Sequence, residues 1–249
     1  MNHDRAVYCE RNSASAARLC EALGWARIRN EVGLARHQRE VIINWGSTSL
    51  PNLDEVTVYN PAVTVANAIS KQMSYAKWEG QPWALPVITE PRPGNSYLLR
   101  RDGLSGGRGI NLWTSDFPPP NVSGNDFLVP LFRKTHEFRV HVAFGRALGI
   151  SQKRARRLFP VNRVIRSHDN GWIFSYNNLI LIEEDKARIM SAAVDAVFLL
   201  GLDFGAADVL AKLTQDTPRR VKSFKICEIN TAPGVEQRTL SLYARAFKE

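Results

Sequence analysis

Residues 204–210 read Phe-Gly-Ala-Ala-Asp-Val-Leu and residues 224–234 read Phe-Lys-Ile-Cys-Glu-Ile-Asn-Thr-Ala-Pro-Gly. Side chains alternate across a strand, so Ala206, Asp208 and Leu210 share one face, and Phe224, Ile226, Glu228 and Asn230 share a face of a second strand. Residues 214–222 between them are polar and charged and contain Pro218. Folding the hairpin there sets Asp208 opposite Glu228, two residues from Asn230. Two carboxylates side by side raise each other's pKa, and a cation resolves the conflict. An oxygen-only ligand set with no His or Cys suits Mg2+ or Mn2+, and Mg2+ takes one or two carboxylates plus water and phosphate oxygens. Asp208, Glu228 and Asn230 are therefore the candidate metal ligands; an exposed acidic pair with no ligand is the alternative.

Working upstream, Glu137-Phe138-Arg139-Val140-His141-Val142-Ala143-Phe144 also alternates, with Glu137, Arg139 and His141 on one face. Gly145-Arg146-Ala147 closes a hairpin. A three-residue loop there pairs Phe144 with Leu148 and Val142 with Ile150, and puts Arg139 and Lys153 on the same polar face. Two such cations repel unless an anion lies between them, and a triphosphate would serve. His141 and His168 are candidate general bases, although a lone histidine is more often structural.

Further upstream, residues 100–110 read Arg-Arg-Asp-Gly-Leu-Ser-Gly-Gly-Arg-Gly-Ile, four glycines within seven positions. Glycine lets a backbone approach phosphate closely and turn its N–H groups inward. The stretch lacks the GK[ST] ending of a P-loop and precedes no helix pattern. It is a hairpin tip that could fold over a nucleotide or merely turn the chain.

The first 60 residues read as a small β-α-β unit: a strand at 6–8, a helix capped by Ser13 or Ser15 and ended by Gly24, and a strand at 41–43. Asn44-Trp45-Gly46-Ser47 follows at the carboxyl end of that strand, a common ligand position in α/β sheets, or a plain turn. Asn60 as N-cap with Pro61 in the first helical position begins one helix to Gly80, with Ala62, Val65, Ala66, Ile69, Met73 and Ala76 as its apolar stripe and Lys71 off it. Residues 83–88 and 96–99 read as extended. Ala187, Met190, Val194, Val197 and Leu200 define a second helix ended by Gly201, with Glu183-Glu184-Asp185 favouring its N-terminal dipole.

A chain of 249 residues with 44% hydrophobic and 23% charged residues is globular rather than disordered or fibrous. No apolar run approaches the ~20 residues that span a bilayer and no signal peptide is evident, so a cytoplasmic protein with no membrane partner is expected. Cys9, Cys20 and Cys227 form no CxxC pair and read as reduced core residues. A net charge of +9 and pI near 9.7 point to an anionic partner, either a polyphosphate or nucleic acid.

The order of these parts resembles the ATP-grasp superfamily, in particular its phage-encoded and RimK-like carboxylate–amine ligase branch. The resemblance rests on Asn44-Trp45-Gly46, Lys71, the glycine stretch, residues 137–142, Gln152-Lys153-Arg154, and above all Asp208 with residues 228–234. It implies an α/β (α+β) chain in which two subdomains, 61–126 and 127–249, clamp ATP after a reduced Rossmann-like region at 1–60. Val129 and Leu131 would belong to the hinge that reads adenine. Lys71, Arg100, Ser105, Gly106, Gly107, Arg108, Gly109 and Glu137 would bind the nucleotide. Asp208, Glu228 and Asn230 would hold Mg2+, as one ion or two, with Mn2+ as a substitute. Arg139 and Lys153 would neutralise phosphoryl transfer, and Arg154 would hold the acceptor or acyl phosphate. The implied reaction joins a carboxylate of an amino acid or peptide to an amine through an acyl phosphate, releasing ADP and phosphate, in the bacterial host cell if phage-encoded. Many ATP-grasp enzymes have lysine where Arg100 stands, and a guanidinium is a fixed fork rather than a mobile point charge. A small-molecule kinase on the same fold, a basic nucleic-acid-binding module using residues 154–166, and a silent nucleotide sensor are the competing readings.

Overall fold

The computed structural model describes residues 2–35, 40–104, 108–114, 124–156 and 164–249. The chain opens with β1 (Asn2–Tyr8), α1 (Ala14–Leu23), β2 (Trp25–Ile28), α2 (Glu31–Ala35), β3 (Val41–Asn44) and β4 (Thr57–Tyr59). Its four strands form a parallel sheet in the order β2-β1-β3-β4. Ser13 caps α1 by accepting the Ala16 N–H, and Gly24 ends it in the left-handed region at φ 72°.

The middle of the chain holds α3 (Ala62–Ile69), α4 (Lys71–Lys77), β5 (Ser96–Arg101), β6 (Ile110–Thr114) and β7 (Asp126–Pro130), with the strands antiparallel in the order β6-β5-β7. The rest forms β8 (His136–Ala143), β9 (Arg146–Ala155), β10 (Trp172–Ser175), α5 (Glu183–Leu199), β11 (Phe204–Leu213), β12 (Val221–Asn230) and α6 (Gln237–Ala246). Its five strands are antiparallel in the order β10-β9-β8-β11-β12. One face of this sheet, through Phe138, Val140, Val209 and Ile226, shares the main core with α5 (Ile189, Ala193, Val197) and with Trp78 and Trp83. Trp78 Nε1 donates to Ala196 O at 3.0 Å, which docks α4 on α5. A second core joins α1 to α6 and stacks Trp45 on Phe204 at 5.3 Å. No helix among the described residues is long and apolar enough to cross a membrane.

Five local expectations are corrected. The helix after residue 60 is two helices, because Ser70 ends α3 in extended conformation and starts α4 by accepting the Met73 N–H. Asp102 stabilises the break by accepting from Ser70 Oγ and from the Lys71 N–H, both at 2.6 Å. Asn60 is not the N-cap: Pro61 holds that place, and Asn60, at φ 60°, uses its side chain on the Asp203 and Phe204 N–H groups and the Phe204 carbonyl. That amide pins the first sheet to the start of β11. Residues 83–88 form no strand and carry only the bridges Ala84 to Ile226 and Ile88 to Leu128.

The β8–β9 hairpin turns on two residues, Phe144 and Gly145, at φ 49° and 69°, with Ala143 facing Arg146. Phe144 is withdrawn from the expected pairing because its ring packs edge-on against Tyr59 and Phe247. A bulge at Leu148, between the pairs Val142↔Ala147 and His141↔Gly149, then sets Val140 opposite Ile150, two residues from the expected register, and this even shift leaves the polar face intact. On β12 a bulge at Cys227 separates Val209↔Ile226 from Asp208↔Glu228. Phe224 and Ile226 thus turn to the core while Glu228 and Asn230 keep the other face.

Candidate functional site

Between the three-stranded and five-stranded sheets lies a cleft of about 560 Å³. Its apolar end is made by Leu85, Leu98 and residues 129–132, the end of β7 and the segment after it. The Leu131 N–H is already committed to the Ser96 carbonyl at 3.0 Å. The polar floor is supplied by neighbouring strands: Glu137 and Arg139 on β8, Lys153 on β9, Asp208 on β11, Glu228 and Asn230 on β12. Six cations (Arg100, Arg133, Lys134, Arg139, Lys153, Arg166) line it against three carboxylates (Glu137, Asp208, Glu228), so it suits a polyanion.

The floor is internally paired. Arg139 and Asp208 face each other across β8 and β11, with Nε to Oδ1 at 2.6 Å and Nη2 to Oδ2 at 2.8 Å. Lys153 and Lys134 grip the two oxygens of Glu137 at 2.9 and 2.8 Å, and Arg166 Nε is 3.9 Å away. The Phe174 ring lies 4.2 Å from the Arg139 guanidinium and 5.4 Å from the Lys153 ammonium. This corrects the expectation that only a bound anion could relieve Arg139 and Lys153, because each already has a carboxylate partner. Burial would push the Asp208 carboxyl up, but Arg139 and Lys153 outweigh it and hold it below the usual range. Burial would likewise lower the Lys153 ammonium, and Asp208 and Glu137 reverse that.

Asp208 faces Glu228 and Ala206 faces Asn230, in the register the sequence predicts. Glu228 accepts no hydrogen bond and forms no ion pair among the described residues. Asn230 Nδ2 donates to Ala206 O at 3.4 Å, which leaves the amide oxygen as a ligand. No cluster of three His, Cys, Asp or Glu side chains gathers among the described residues. The set fits a hard divalent cation that takes two carboxylates and one amide oxygen and draws its remaining ligands from water and phosphate. Arg100 also lines the cleft: its Nη1 donates to Tyr75 Oη, and its buried Nε has no partner.

Other expected site residues lie elsewhere. Lys71 is buried and does not line the cleft, donating from Nζ to Leu104 O at 2.6 Å. Arg154 points off the opposite face of β9 from Lys153 and donates to the carbonyls of Asn177 and Asn178 at 3.3 and 2.5 Å. Gly109 is held in the left-handed region at φ 66°, where a side chain would be strained and its Cβ would have to displace Leu104 Cδ1, 2.7 Å away. Neither it nor Arg108 lines the cleft. Ser105, Gly106 and Gly107 lie outside the described residues. The Asn44 to Ser47 segment is a turn: the Asn44 amide donates to the Ser47 and Asn60 carbonyls and accepts the Ser47 N–H. Cys227 lines the cleft and also packs against the main core. Sequence reasoning missed Lys134, Arg166 and Phe174; only Lys134, three residues before Glu137, left a spacing that could have found it.

His141 is fully buried. Tyr243 Oη spends its proton on Gly205 O at 2.9 Å, so His141 Nδ1, 3.2 Å away, donates to it, and Nε2 faces Tyr176 Oη at 3.4 Å. Burial, helped by Arg139, lowers its pKa to about 3. It is a neutral wedge under the floor rather than a base in solution contact. A folded pKa below the unfolded one means that the unfolded chain binds the extra proton, so this contribution is complete above about pH 6.5 and is lost as pH falls toward about 3. Urea unfolding between pH 7 and 5 is expected to show stability falling by up to about 1.4 kcal/mol per unit from this group, with a shallower fall in His141→Gln. Equal slopes would show that His141 protonates freely.

No known sequence family matches the chain, and no curated protein matches it in sequence. Solved structures match its fold over nearly their whole length. The ATP-grasp ligase PsnB, complexed with minimal precursor, Mg and ADP, matches with a TM-score of 0.66 at 11% identity, covering 100% of this chain and 97% of that one. D-alanine–D-alanine ligase from Bacillus anthracis gives 0.64 at 12% identity, with 98% and 96% covered. A RimK domain ATP-grasp protein from Sphaerobacter thermophilus gives 0.60 at 12% identity, with 98% and 100% covered.

Proposed function

The chain has the ATP-grasp fold, and on that premise we infer that it is an ATP-dependent carboxylate–amine ligase. The observation that carries this reading is the gathering of Arg139, Lys153, Asp208, Glu228 and Asn230 on the floor of one cationic cleft that ends in an apolar slot at residues 129–132. In this reading residues 1–60 precede the clamp, residues 61–126 form its smaller part and residues 127–249 its larger. Adenine fills the apolar slot and the phosphates run toward Asp208 and Glu228, passing Arg100. Structures of similar fold support it: one is a ligase complexed with Mg and ADP, another a ligase complexed with ATP.

Carboxylate activation brings a substrate carboxylate oxygen onto the γ-phosphorus while the bond to the β–γ bridging oxygen breaks and ADP leaves. The amine nitrogen then attacks the acyl carbon, phosphate departs, and the amine proton passes to solvent. Both approaching groups in the first step are anions, so the floor has to supply cations in line. Arg139 presents a planar fork and Lys153 a point charge on the same face, both backed by Phe174. Glu137 holds Lys153 and Lys134 in place. Mg2+, held by Asp208, Glu228 and Asn230, would screen the β- and γ-phosphates; Mn2+ or a second ion would serve the same chemistry. An amino acid or peptide is the expected carboxylate. Incubating the protein with Mg-ATP, pooled carboxylates and hydroxylamine tests the reading: hydroxamate with ADP supports an acyl phosphate. A stable phosphorylated product and no hydroxamate would make it a kinase.

A further inference from the structure

The two carboxylates of the metal pair are not equivalent. Glu228 is open to the cleft, with no hydrogen bond or ion pair among the described residues. Asp208, directly opposite on β11, has both oxygens closed by the Arg139 fork at 2.6 and 2.8 Å. Both side chains of that pair are about 15% exposed, at 14% for Arg139 and 15% for Asp208, so water screens them little. Phe174 backs the guanidinium at 4.2 Å, which holds the fork against the carboxylate. A bidentate arginine takes the same face of a carboxylate that a metal ion would use, and a divalent cation on the remaining lone pairs would sit beside a guanidinium in a poorly screened cleft.

We propose that Arg139 is a latch on the cation site. In the nucleotide-free protein its fork closes Asp208 to divalent cations, and a bound phosphate chain releases Asp208 by offering Arg139 a second anion. The proposal rests on the reading of Asp208, Glu228 and Asn230 as Mg2+ ligands. It makes free metal binding weak until the nucleotide is present, and it gives Arg139 two opposite effects: it supports phosphoryl transfer and opposes metal binding to the empty cleft.

The test is Mn2+ alone, titrated into nucleotide-free protein and followed by the electron paramagnetic resonance of unbound Mn2+, with circular dichroism to verify folding. Arg139→Gln is expected to bind Mn2+ about tenfold more tightly than the wild type or better, since it frees both Asp208 oxygens from the fork and leaves the carboxylate facing Glu228 with only Lys153 as a nearby counter-charge. The double variant Arg139→Gln with Asp208→Asn should lose that gain. Should Arg139→Gln fail to fold, Arg139→Lys, which keeps the charge but gives up the fork, should show a smaller gain in the same direction. No gain in whichever variant folds, or a gain that survives Asp208→Asn, overturns the latch. A parallel titration with ADP separates this from the underlying metal assignment. If Asp208→Asn abolishes Mn2+ binding in the presence of ADP while Arg139→Gln gains nothing, the latch alone is wrong. If Asp208→Asn leaves Mn2+·ADP binding unchanged, the metal assignment itself falls, and the latch with it.

Discussion

Arg139→Ala is expected to lower kcat by about 10²–10³-fold, the scale of losing one transition-state donor. ATP affinity should change only a few-fold, because Lys153, Lys134, Arg166 and Arg100 remain in the cleft to hold the ground-state phosphates. Charge moves onto the γ-phosphoryl oxygens and the bridging oxygen as transfer proceeds, and a preorganised guanidinium costs no solvent reorganisation at that moment. Arg139→Lys should recover only part of the rate, since an ammonium cannot reproduce a fork. The variant also leaves Asp208, only 15% exposed, without its partner, so its folding has to be verified before rates are compared. Full turnover in Arg139→Ala would reduce Arg139 to a structural partner of Asp208.

Glu228→Ala should weaken ATP binding in Mg2+ by about 10²-fold and bring it close to the affinity measured in EDTA, the loss expected when a first ligand is removed from a small oxygen-only site. Asp208→Ala should do the same, but it also strands Arg139, so Glu228, which has no protein partner among the described residues, gives the cleaner result. Calorimetry of ATP binding with Mg2+ and with EDTA reads this directly. Equal affinities in the wild type, in Glu228→Ala and in EDTA would remove the metal from the account.

The cleft floor was legible because strand alternation is a strict rule: Asp208 falls on one strand face and Glu228 and Asn230 on another by local period, and a hairpin folded about Pro218 sets Asp208 opposite Glu228, a pairing the structure reaches through bulges at Lys222 and Cys227. The parts that were not legible depend on distant partners. The break at Ser70 is stabilised by Asp102, 32 residues away, and Asn60 is drawn from its cap by backbone groups at 203 and 204. Phe144 leaves its pairing for Tyr59 and Phe247. None of these contacts has a periodic signature. The ion pairs of the floor show the same limit. Alternation placed Arg139 and Lys153 on one face, but a two-residue difference in register decided that Lys153 would meet Glu137 rather than stand opposite Arg139. Arg154 followed Lys153 in sequence and therefore pointed away from it, a consequence of period 2 that outweighs its place in the motif.

Product mass tests the central claim most directly. Incubating the protein with Mg-ATP and pooled amino acids and short peptides, while following ADP release and scanning for new masses, should give a product equal to a carboxylate and an amine joined with loss of water, one ADP and one phosphate per bond. Its formation should require both components together. ADP release that depends on one component and yields a phosphorylated molecule as the final product, or no ADP release with any pool despite tight Mg-ATP binding, would contradict a carboxylate–amine ligase.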